Sequence, residues 1–301
     1  AIAQPYDVYA TAADFGLSSN GTAEAKSYFA SDLCVSEDVA IGTDSTDSQV
    51  AEGAGTFNLE TNTVVYAKNL YERLYPASTT KILTAYIALK YCDDLDAMVT
   101  VSENAVNQAS DSSVCNLKAG DVIRLRDLLY GLMLRSGNDA AVAIAEYISG
   151  DVDSFAALMN QEAAAMGAPR SHFVNPNGLP DENHYTCVYD MYLIFSNAVK
   201  NDTFVSIIGT TSYDVTYTDA SGEAVTHTWE NTNQYLTGNA TTPDGFQIVG
   251  GKTGTTGEAG YCLVLYSYNP SGQPIISIVF KADGKSNLYL LMNEMLQGFA
   301  I

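Results

Sequence analysis

The order of strand-like and helical segments constrains the fold of this chain more than any other feature of its sequence. Near the start, strand patterns joined by a short turn occur at 54–60 and 64–68. After residue 210 the strand pattern returns, at 212–217, 225–229, 246–249, 261–268 and 275–280. A chain that begins and ends in strands, with helices between them, predicts one sandwich-like α/β domain.

Between about residues 102 and 200, apolar side chains recur with helical spacing. Just before this stretch, Tyr75-Pro76 leads into a largely apolar run at 79–90, whose length predicts a buried helix. We therefore expect a main domain at 46–301, with an all-helical lobe inserted at about 93–200 and a closing helix at about 286–299. Residues 1–45 are rich in small polar residues and are predicted to be an N-terminal extension packed loosely on this domain.

The composition is that of a folded protein and argues against two classes of partner. Apolar residues make up 47% of the 301 residues and charged residues 16%. A net charge of −21 argues against nucleic acids and anionic lipids, since both bind through a local surplus of lysine and arginine. No apolar run is long enough to span a membrane, so we expect membrane attachment only through a segment absent from this chain.

The cysteines are too few and too irregularly spaced for a disulfide scaffold; they are Cys34, Cys92, Cys115, Cys187 and Cys262. No Cys-x-x-Cys pair indicates zinc, and we predict neither a metal nor a cofactor. Two interpretations of the thiols remain open. Either Cys92 and Cys115 form a disulfide in an oxidising compartment, or all five are small buried hydrophobic side chains.

The residues available for hydrolysis do not follow the Ser-His-Asp or zinc patterns. The chain has three histidines, no Gly-x-Ser-x-Gly elbow and no His-Glu-x-x-His helix. Ser78-Thr79-Thr80-Lys81 offers another solution, because this spacing on a helix places the lysine beside the serine hydroxyl. A lysine acts as a base only where burial or a second cation lowers its pKa from about 10.4. Alone, a Ser-x-x-Lys match is expected by chance about once in a chain of this length.

Two further motifs follow in order along the chain. Ser-Gly-Asn at 136–138 comes after a leucine-rich helical run and offers a hydroxyl and an amide, although Ser and Asn also cap helices. Lys-Thr-Gly at 252–254 lies in a strand whose glycines let a ligand backbone approach, and such an edge binds extended peptides. The alternative for this motif is a surface β-bulge with a solvated lysine. The conjunction of the three motifs indicates a serine nucleophile with a lysine base.

These three motifs, in this order, resemble the signature of penicillin-binding proteins and class A β-lactamases. From about residue 52 to 300 the chain resembles the low-molecular-mass penicillin-binding proteins, which are serine-type D-Ala-D-Ala carboxypeptidases of peptidase family S11. The segments that carry the resemblance are 76–81, 134–141, 173–179, 231–233, 251–254 and 259–264. It implies a β-lactamase/DD-transpeptidase-like α+β fold, with an antiparallel five-stranded sheet flanked by helices and an all-helical lobe.

The resemblance also implies a role for each matched residue. Ser78 attacks the carbonyl between two D-alanines to form an acyl-enzyme, and Lys81 accepts its proton. Ser136 relays a proton to the leaving amine, and Asn138 holds the substrate amide. Lys252 supplies the positive potential that keeps Lys81 neutral.

The strand that contains Lys252 is expected to bind the substrate through Thr253, Gly254 and Thr255. The two threonines take the carboxylate of the terminal D-alanine. The backbone N–H groups of Ser78 and Thr255 form the oxyanion hole, which stabilises the acyl-transfer intermediate.

Two features depart from the pattern of the family. No arginine follows Arg170, so a carboxylate-binding arginine near the last strands has no counterpart, and Lys281 is the suggested substitute. The chain stops at 290–301, which resembles the end of a catalytic domain. We expect that the natural protein either continues beyond it or is a short secreted form.

Three other interpretations compete with the carboxypeptidase. A β-lactamase needs a carboxylate base for deacylation, and its Glu-x-x-Leu-Asn motif is missing from 166–190, where Glu182 is a loop glutamate. A DD-endopeptidase would use the same residues in a more open groove. A catalytically idle wall-binding protein would have lost a residue of one of the three motifs, and all three motifs are intact. The predicted partners are peptidoglycan stem peptides, with β-lactam antibiotics as covalent inhibitors, and the predicted location is extracytoplasmic, either secreted or anchored at a bacterial cell envelope.

Overall fold

A computed structural model describes residues 32–301, and residues 1–31, most of the predicted extension, lie outside the described range. Its strands are β1 (Ala51–Asn58), β2 (Thr63–Lys68), β3 (Met98–Thr100), β4 (Val122–Arg124), β5 (Ser212–Thr218), β6 (Ala224–Glu230), β7 (Gln247–Thr256), β8 (Gly260–Tyr268) and β9 (Pro274–Ala282). Its helices are α1 (Lys81–Tyr91), α2 (Glu103–Val106), α3 (Leu125–Tyr130), α4 (Asn138–Ser149), α5 (Val152–Ala165), α6 (Val188–Ala198), α7 (Asp202–Ile208) and α8 (Lys285–Phe299).

A five-stranded antiparallel sheet, in the order β2-β1-β9-β8-β7, forms the centre of the fold and confirms the predicted sheet. Strands from the two ends of the described chain meet here, because β1 pairs with β9 from Ala51–Ala282 to Asn58–Ile275. Strands β8 and β9 are buried along nearly their whole length. Helices cover both faces of the sheet, which is why these strands have continuous apolar runs rather than an alternating pattern.

The two faces of the sheet bury different sets of side chains. On one face, α8 packs Leu288, Met292 and Met295 against Leu263 and Val279 of the sheet. The other face joins a larger core that contains helices α1 and α6. Helix α1 is buried on nearly every side, as its largely apolar sequence predicts, and the buried helix expected at 79–90 is confirmed.

The predicted all-helical lobe needs a correction, because it also contains part of a second sheet. Strands β3 and β4 pair with each other, and β4 meets the β5–β6 hairpin at Val122–Thr218, giving the order β3-β4-β5-β6. Each of β3 and β4 is three residues long, too short to show a strand pattern in the sequence. The hairpin predicted at 212–229 is present, but it belongs to this second sheet.

The part of the predicted extension that the structure describes is tied to the body of the fold. Cys34 is fully buried, its N–H donates to the hydroxyl of Tyr192 at 2.9 Å, and its carbonyl accepts from the hydroxyl of Tyr189 at 2.8 Å. Ile41 pairs with Ala67 of β2. The predicted boundary at residue 45 remains a prediction.

All five cysteines are free thiols, so the Cys92–Cys115 disulfide is not formed. Cys92 is half-buried, whereas the other four are buried, as the alternative interpretation expects. Within residues 32–301, no helix combines the length and apolar character that crossing a membrane requires.

Candidate active site

Ser78 lies on a tight 3₁₀ turn, Ala77–Thr80, that leads directly into α1. The residue before it, Ala77, has φ +48°, a left-handed conformation that costs a non-glycine residue about 1 kcal/mol. Gly178 (φ +87°) lies against this turn, and a Cβ there would be 1.8 Å from the carbonyl oxygen of Ala77. Only glycine fits at this position, and its loop therefore supports the Ala77–Ser78 peptide directly.

Lys81, the first residue of α1, is fully buried and surrounded by three oxygen atoms. Its Nζ lies 3.0 Å from Ser78 Oγ, 2.8 Å from Asn138 Oδ1 and 2.7 Å from the carbonyl oxygen of Asn177. A neutral amine has two hydrogens and one lone pair. The two amide oxygens accept the hydrogens, which leaves the lone pair facing the hydroxyl of Ser78.

The electrostatics of Lys81 favour this neutral form. Burial, followed by the positive charge of Lys252, holds the pKa of Lys81 well below its ordinary value. The negative charge of Asp139 acts in the opposite direction on the same pKa but is a smaller effect. The requirement that burial and a second cation lower the pKa of the lysine is therefore met.

The turn Ala77–Thr80, called the nucleophile turn because it contains the predicted nucleophile Ser78, and helix α1 fix the loop at 174–179 through polar side chains. Thr84 Oγ1 donates to the carbonyl of Pro176 at 2.7 Å, next to the Lys81 contact. His184 accepts the N–H of Val174 on Nδ1 at 3.1 Å, so its Nε2–H donates to Thr80 Oγ1 at 2.8 Å. The segment 173–179 carries part of the resemblance to the family, but no role was predicted for Asn177 or Gly178.

Ser136 and Asn138 are positioned by the end of one helix and the start of the next. Helix α3 continues as a π-helical turn, Gly131–Arg135, which ends when Ser136 takes the left-handed conformation with φ 62°. Asn138 then starts α4, and its N–H donates to the carbonyl of Ser113 at 2.8 Å. The next residue, Asp139, accepts the N–H groups of Cys115 at 2.8 Å and Leu117 at 3.1 Å. These contacts hold the segment 113–117 against the Ser-Gly-Asn motif.

Lys252 reaches the site from β7, the edge strand of the main sheet. It is almost fully buried, and its Nζ donates to Ser136 Oγ at 3.0 Å and to the carbonyl of Thr253 at 2.8 Å. Burial lowers the pKa of Lys252 to about 7. Lys252 therefore belongs to a buried network and is not the solvated lysine of a surface bulge.

Gly254 lets β7 approach the nucleophile turn. A Cβ at this position would lie 2.9 Å from the backbone nitrogen of Ser78 and 3.1 Å from the carbonyl oxygen of Pro76. The neighbouring Thr253 shares a 2.6 Å hydrogen bond with Thr232, a residue of the 231–233 segment. The strand edge and the serine thus face the same space.

Two cavities open on Ser78. The first, which we call the Glu258 cavity, has a volume of about 420 Å³ and is lined by Ser78, Asp111, Ser112, Ser113, Asn138, Asn177, Gly178, Leu179, Pro180, Thr255, Thr256, Gly257 and Glu258. The second, the Lys285 cavity, has a volume of about 170 Å³ and is lined by Ser78, Ser113, Ser136, Thr232, Thr253, Gly254, Thr255, Tyr261, Cys262, Lys285, Leu288 and Tyr289. They form one cleft with the serine at its middle.

The structure brings together all eight residues that the sequence analysis selected. Ser78, Ser136, Asn138, Thr253, Gly254 and Thr255 line the cleft. Lys81 and Lys252 lie beneath it and are hydrogen-bonded to Ser78 and Ser136. Their predicted roles remain predictions.

The suggestion that Lys281 replaces the missing arginine is not supported by its position. Its Nζ forms an ion pair with Glu52 Oε1 at 2.7 Å, in a separate groove. The cation that lines the cleft is Lys285, at the start of α8. The signal in the sequence is a basic residue of either type shortly after β9, and Lys285 is that residue.

A serine hydroxyl beside a buried lysine amine, in a cleft bordered by a strand edge, is the arrangement of a serine acyl-transfer enzyme. Comparison with known proteins agrees with this class. The family model described as D-alanyl-D-alanine carboxypeptidase, peptidase S11, matches residues 42–284. The chain belongs to this family of serine hydrolases.

Individual relatives show the extent of the similarity. D-alanyl-D-alanine carboxypeptidase DacF of Bacillus subtilis (strain 168) is 34% identical over 251 residues, which are 82% of this chain and 61% of the relative. D-alanyl-D-alanine carboxypeptidase of Streptomyces sp. (strain K15) is 34% identical over 265 residues, 83% of this chain and 88% of the relative. The solved structure of the Streptomyces K15 DD-transpeptidase has a TM-score of 0.77 at 33% identity, and covers 84% of this chain and 98% of that one. This chain thus spans about three fifths of the Bacillus relative's length.

Proposed function

We propose that this protein removes the terminal D-alanine from peptidoglycan stem peptides through an acyl-enzyme on Ser78. The observation that carries the proposal is the coordination of Lys81, whose two amide acceptors leave its lone pair facing Ser78 Oγ at 3.0 Å. This geometry makes the lysine a base for the serine. The family to which the chain belongs supplies the substrate, a peptide that ends in D-alanyl-D-alanine.

In the acylation step, Ser78 Oγ attacks the carbonyl carbon of the penultimate D-alanine while its proton passes to Lys81 Nζ. The oxyanion is stabilised by the backbone N–H groups of Ser78 and Thr255. The carbon–nitrogen bond then breaks, and the leaving amine takes up a proton through Ser136, which lies 3.0 Å from Lys252 Nζ. Water finally attacks the ester and releases the shortened peptide.

The carboxylate of the leaving D-alanine is assigned to the Lys285 cavity. Thr253, Thr255 and Lys285 line this cavity, and Lys285 is the one charged residue among its lining side chains. The amine of Lys285 has no carboxylate within 4.0 Å in the described part of the chain, so its charge is available to a ligand. Lys285 thus takes the carboxylate-binding role for which the family has an arginine and for which Lys281 was the suggested substitute.

Fast hydrolysis of β-lactams, the alternative activity, finds little support in the cleft. The loop that carries the deacylating carboxylate in class A β-lactamases corresponds to 166–190, and Asn177, Gly178, Leu179 and Pro180 are its residues at the cavity. Glu182 is exposed, and it lines a separate small pocket with Arg73 and Tyr185. The acyl-enzyme formed with a penicillin is therefore expected to be long-lived. A DD-endopeptidase, the other alternative, would use the same residues to cut cross-linked peptides.

The experiment that tests the proposal is intact-mass spectrometry of the protein mixed with benzylpenicillin, in parallel with D-alanine release from a Lys-D-Ala-D-Ala peptide. We expect a persistent adduct and D-alanine release from the wild type, and neither from Ser78→Ala. Rapid antibiotic turnover without a lasting adduct would indicate a β-lactamase. No reaction with either compound would refute the proposed function.

The location and partners follow from this function as further proposals. An enzyme of peptidoglycan stem peptides acts outside the cytoplasm, secreted or anchored at the envelope of a bacterium. Its partners are the stem peptides themselves, with β-lactam antibiotics as covalent inhibitors.

A further inference from the structure

The two cavities on either side of Ser78 have opposite charge. Asp111 and Glu258 are the charged residues that line the Glu258 cavity, and both are acidic. Lys285 is the charged residue that lines the Lys285 cavity. A cleft with this polarity orients a ligand that is negative at one end and positive at the other.

Both acidic side chains of the Glu258 cavity are available to a ligand. Asp111 and Glu258 are exposed, and neither is in an ion pair or accepts a hydrogen bond from any side chain in the described range. They come from distant parts of the chain, Asp111 from the segment before Cys115 and Glu258 from the turn between β7 and β8. A cation in the cavity would meet negative charge from both segments.

A second feature of the same cavity indicates a peptide ligand. The side chain of Asn177 is 5% exposed, and its Oδ1 accepts the N–H of Leu179 at 3.1 Å. Its Nδ2 donates to no oxygen among residues 32–301, although the residue lines the cavity. This nitrogen is not among the fully buried side-chain atoms that lack a partner in the described residues, so it is accessible at the cavity and free to donate a hydrogen bond to a ligand. A peptide carbonyl supplies the acceptor for such a bond.

The direction of the substrate follows from the proposed function, on which this inference rests. The leaving D-alanine with its carboxylate occupies the Lys285 cavity. The part of the substrate that stays on Ser78 therefore extends into the Glu258 cavity, and the next residue along the peptide lies there too.

We propose that the Glu258 cavity binds the ammonium-bearing side chain of the residue that precedes D-alanyl-D-alanine, with Asp111 and Glu258 as its carboxylate partners. The substrate class is then peptides in which this amine is free. An amine that has been acylated, as in a cross-link, carries no charge and loses the interaction.

The test compares two substrates that differ only in this charge: a Lys-D-Ala-D-Ala peptide with a free ε-amine, and the same peptide with that amine acetylated. We expect the wild type to show a kcat/KM for the free amine that is on the order of fivefold higher, since exposed ion pairs contribute modestly. Higher ionic strength should reduce this ratio.

The double variant Asp111→Asn with Glu258→Gln should bring the ratio of the two kcat/KM values close to one. Glu60→Gln, which removes one exposed charge at the turn after β1, is the matched control and should keep the wild-type ratio. Acylation by benzylpenicillin, which carries no ammonium group, reports whether each variant keeps a competent nucleophile.

Equal rates on the two peptides in the wild type would overturn this proposal and leave the proposed function standing. A preference that survives in the double variant would also overturn it, because the charge would then be recognised elsewhere. D-alanine release from neither peptide would overturn the proposed function and this inference together.

Discussion

The amine of Lys81 has three oxygen neighbours, and two of them can only accept hydrogen bonds. This fixes where the lone pair of the neutral amine faces, and in the proposed mechanism no other residue has to move when Ser78 gives up its proton. The cost is a lysine buried without a carboxylate partner, which is tolerated because burial favours the neutral form. Lys252 is the second buried cation of the site, and its charge contributes to the same effect.

The contribution of Lys252 predicts a change in pH dependence. In Lys252→Met the repulsion on protonated Lys81 is lost, so the pKa of Lys81 rises. We expect the acid limb of the acylation profile to move to higher pH, alongside a lower maximal rate from the lost Ser136 contact. The measurement is the rate of acylation by a fluorescent penicillin across the neutral range.

Lys200→Met removes an exposed lysine two residues after the end of α6 and serves as the control for a simple change in net charge. Its acid limb should coincide with that of the wild type. If both variants shift equally, the effect comes from the overall field of the protein and not from Lys252.

At the scale of elements, the site depends on a loop, 174–179, that packs against the nucleophile turn through backbone atoms. Thr80, Lys81 and Thr84 all bond to this loop or to His184 beside it. The nucleophile turn, in which Ala77 has a left-handed conformation, is thus held in place by its contacts with this loop. Strained positions of this kind persist only where their surroundings hold them.

Gly178→Ala tests whether the loop positions the nucleophile. The new Cβ would lie 1.8 Å from Ala77 O, so the Ala77–Ser78 peptide has to shift. We expect the rate of acylation by benzylpenicillin to fall by about a hundredfold or more, because a displacement of about 1 Å in an active site reduces the rate by about this factor.

Gly167→Ala is a matched control for that variant. Its φ of +78° carries a similar backbone cost, but the nearest heavy atom to the new Cβ is 4.0 Å away. Similar losses of stability with very different acylation rates would support the positioning role. Equal acylation rates in the two variants would contradict it.

At the scale of the whole molecule, His184 links the stability of the fold to pH. The side chain of His184 is buried in the folded state, and this burial lowers its pKa from 6.5 to about 4. The unfolded chain therefore binds more protons between these two values. The contribution of neutral His184 is complete above about pH 6.5 and is lost as the pH falls toward 4.

The expected loss is about 3 kcal/mol in the free energy of unfolding between pH 7 and pH 4, from a pKa difference of about 2.5 units. The measurement is urea unfolding of the wild type and of His184→Asn at several pH values. Asn keeps an acceptor for Val174 but does not titrate, so the difference between the two proteins should vary with pH. A constant difference would contradict the assignment.

Much of the local structure was predictable from the sequence. The strands of the central sheet, the buried helix after Ser78 and the closing helix were all predicted, because each is a run long enough to be recognised in the sequence. Their assembly into one five-stranded sheet was implied by the resemblance to the family. The Ser78–Lys81 contact is also local, since one helical turn places the two side chains together. The three motifs in order then indicated the family.

Other features were decided only by tertiary structure. Strands β3 and β4 are too short to be seen in the sequence, and β4 finds its partner β5 across the whole helical lobe. Asn177, Ser113 and Lys285 come to the cleft from distant segments, and one of the oxygens around the Lys81 amine is the carbonyl of Asn177. Residues near in sequence meet through backbone geometry alone, whereas these three meet the motif residues only when the chain closes around its core. For this reason the sequence by itself indicated the motif residues of the cleft, but not the contributions of Ser113, Asn177 and Lys285 to its walls.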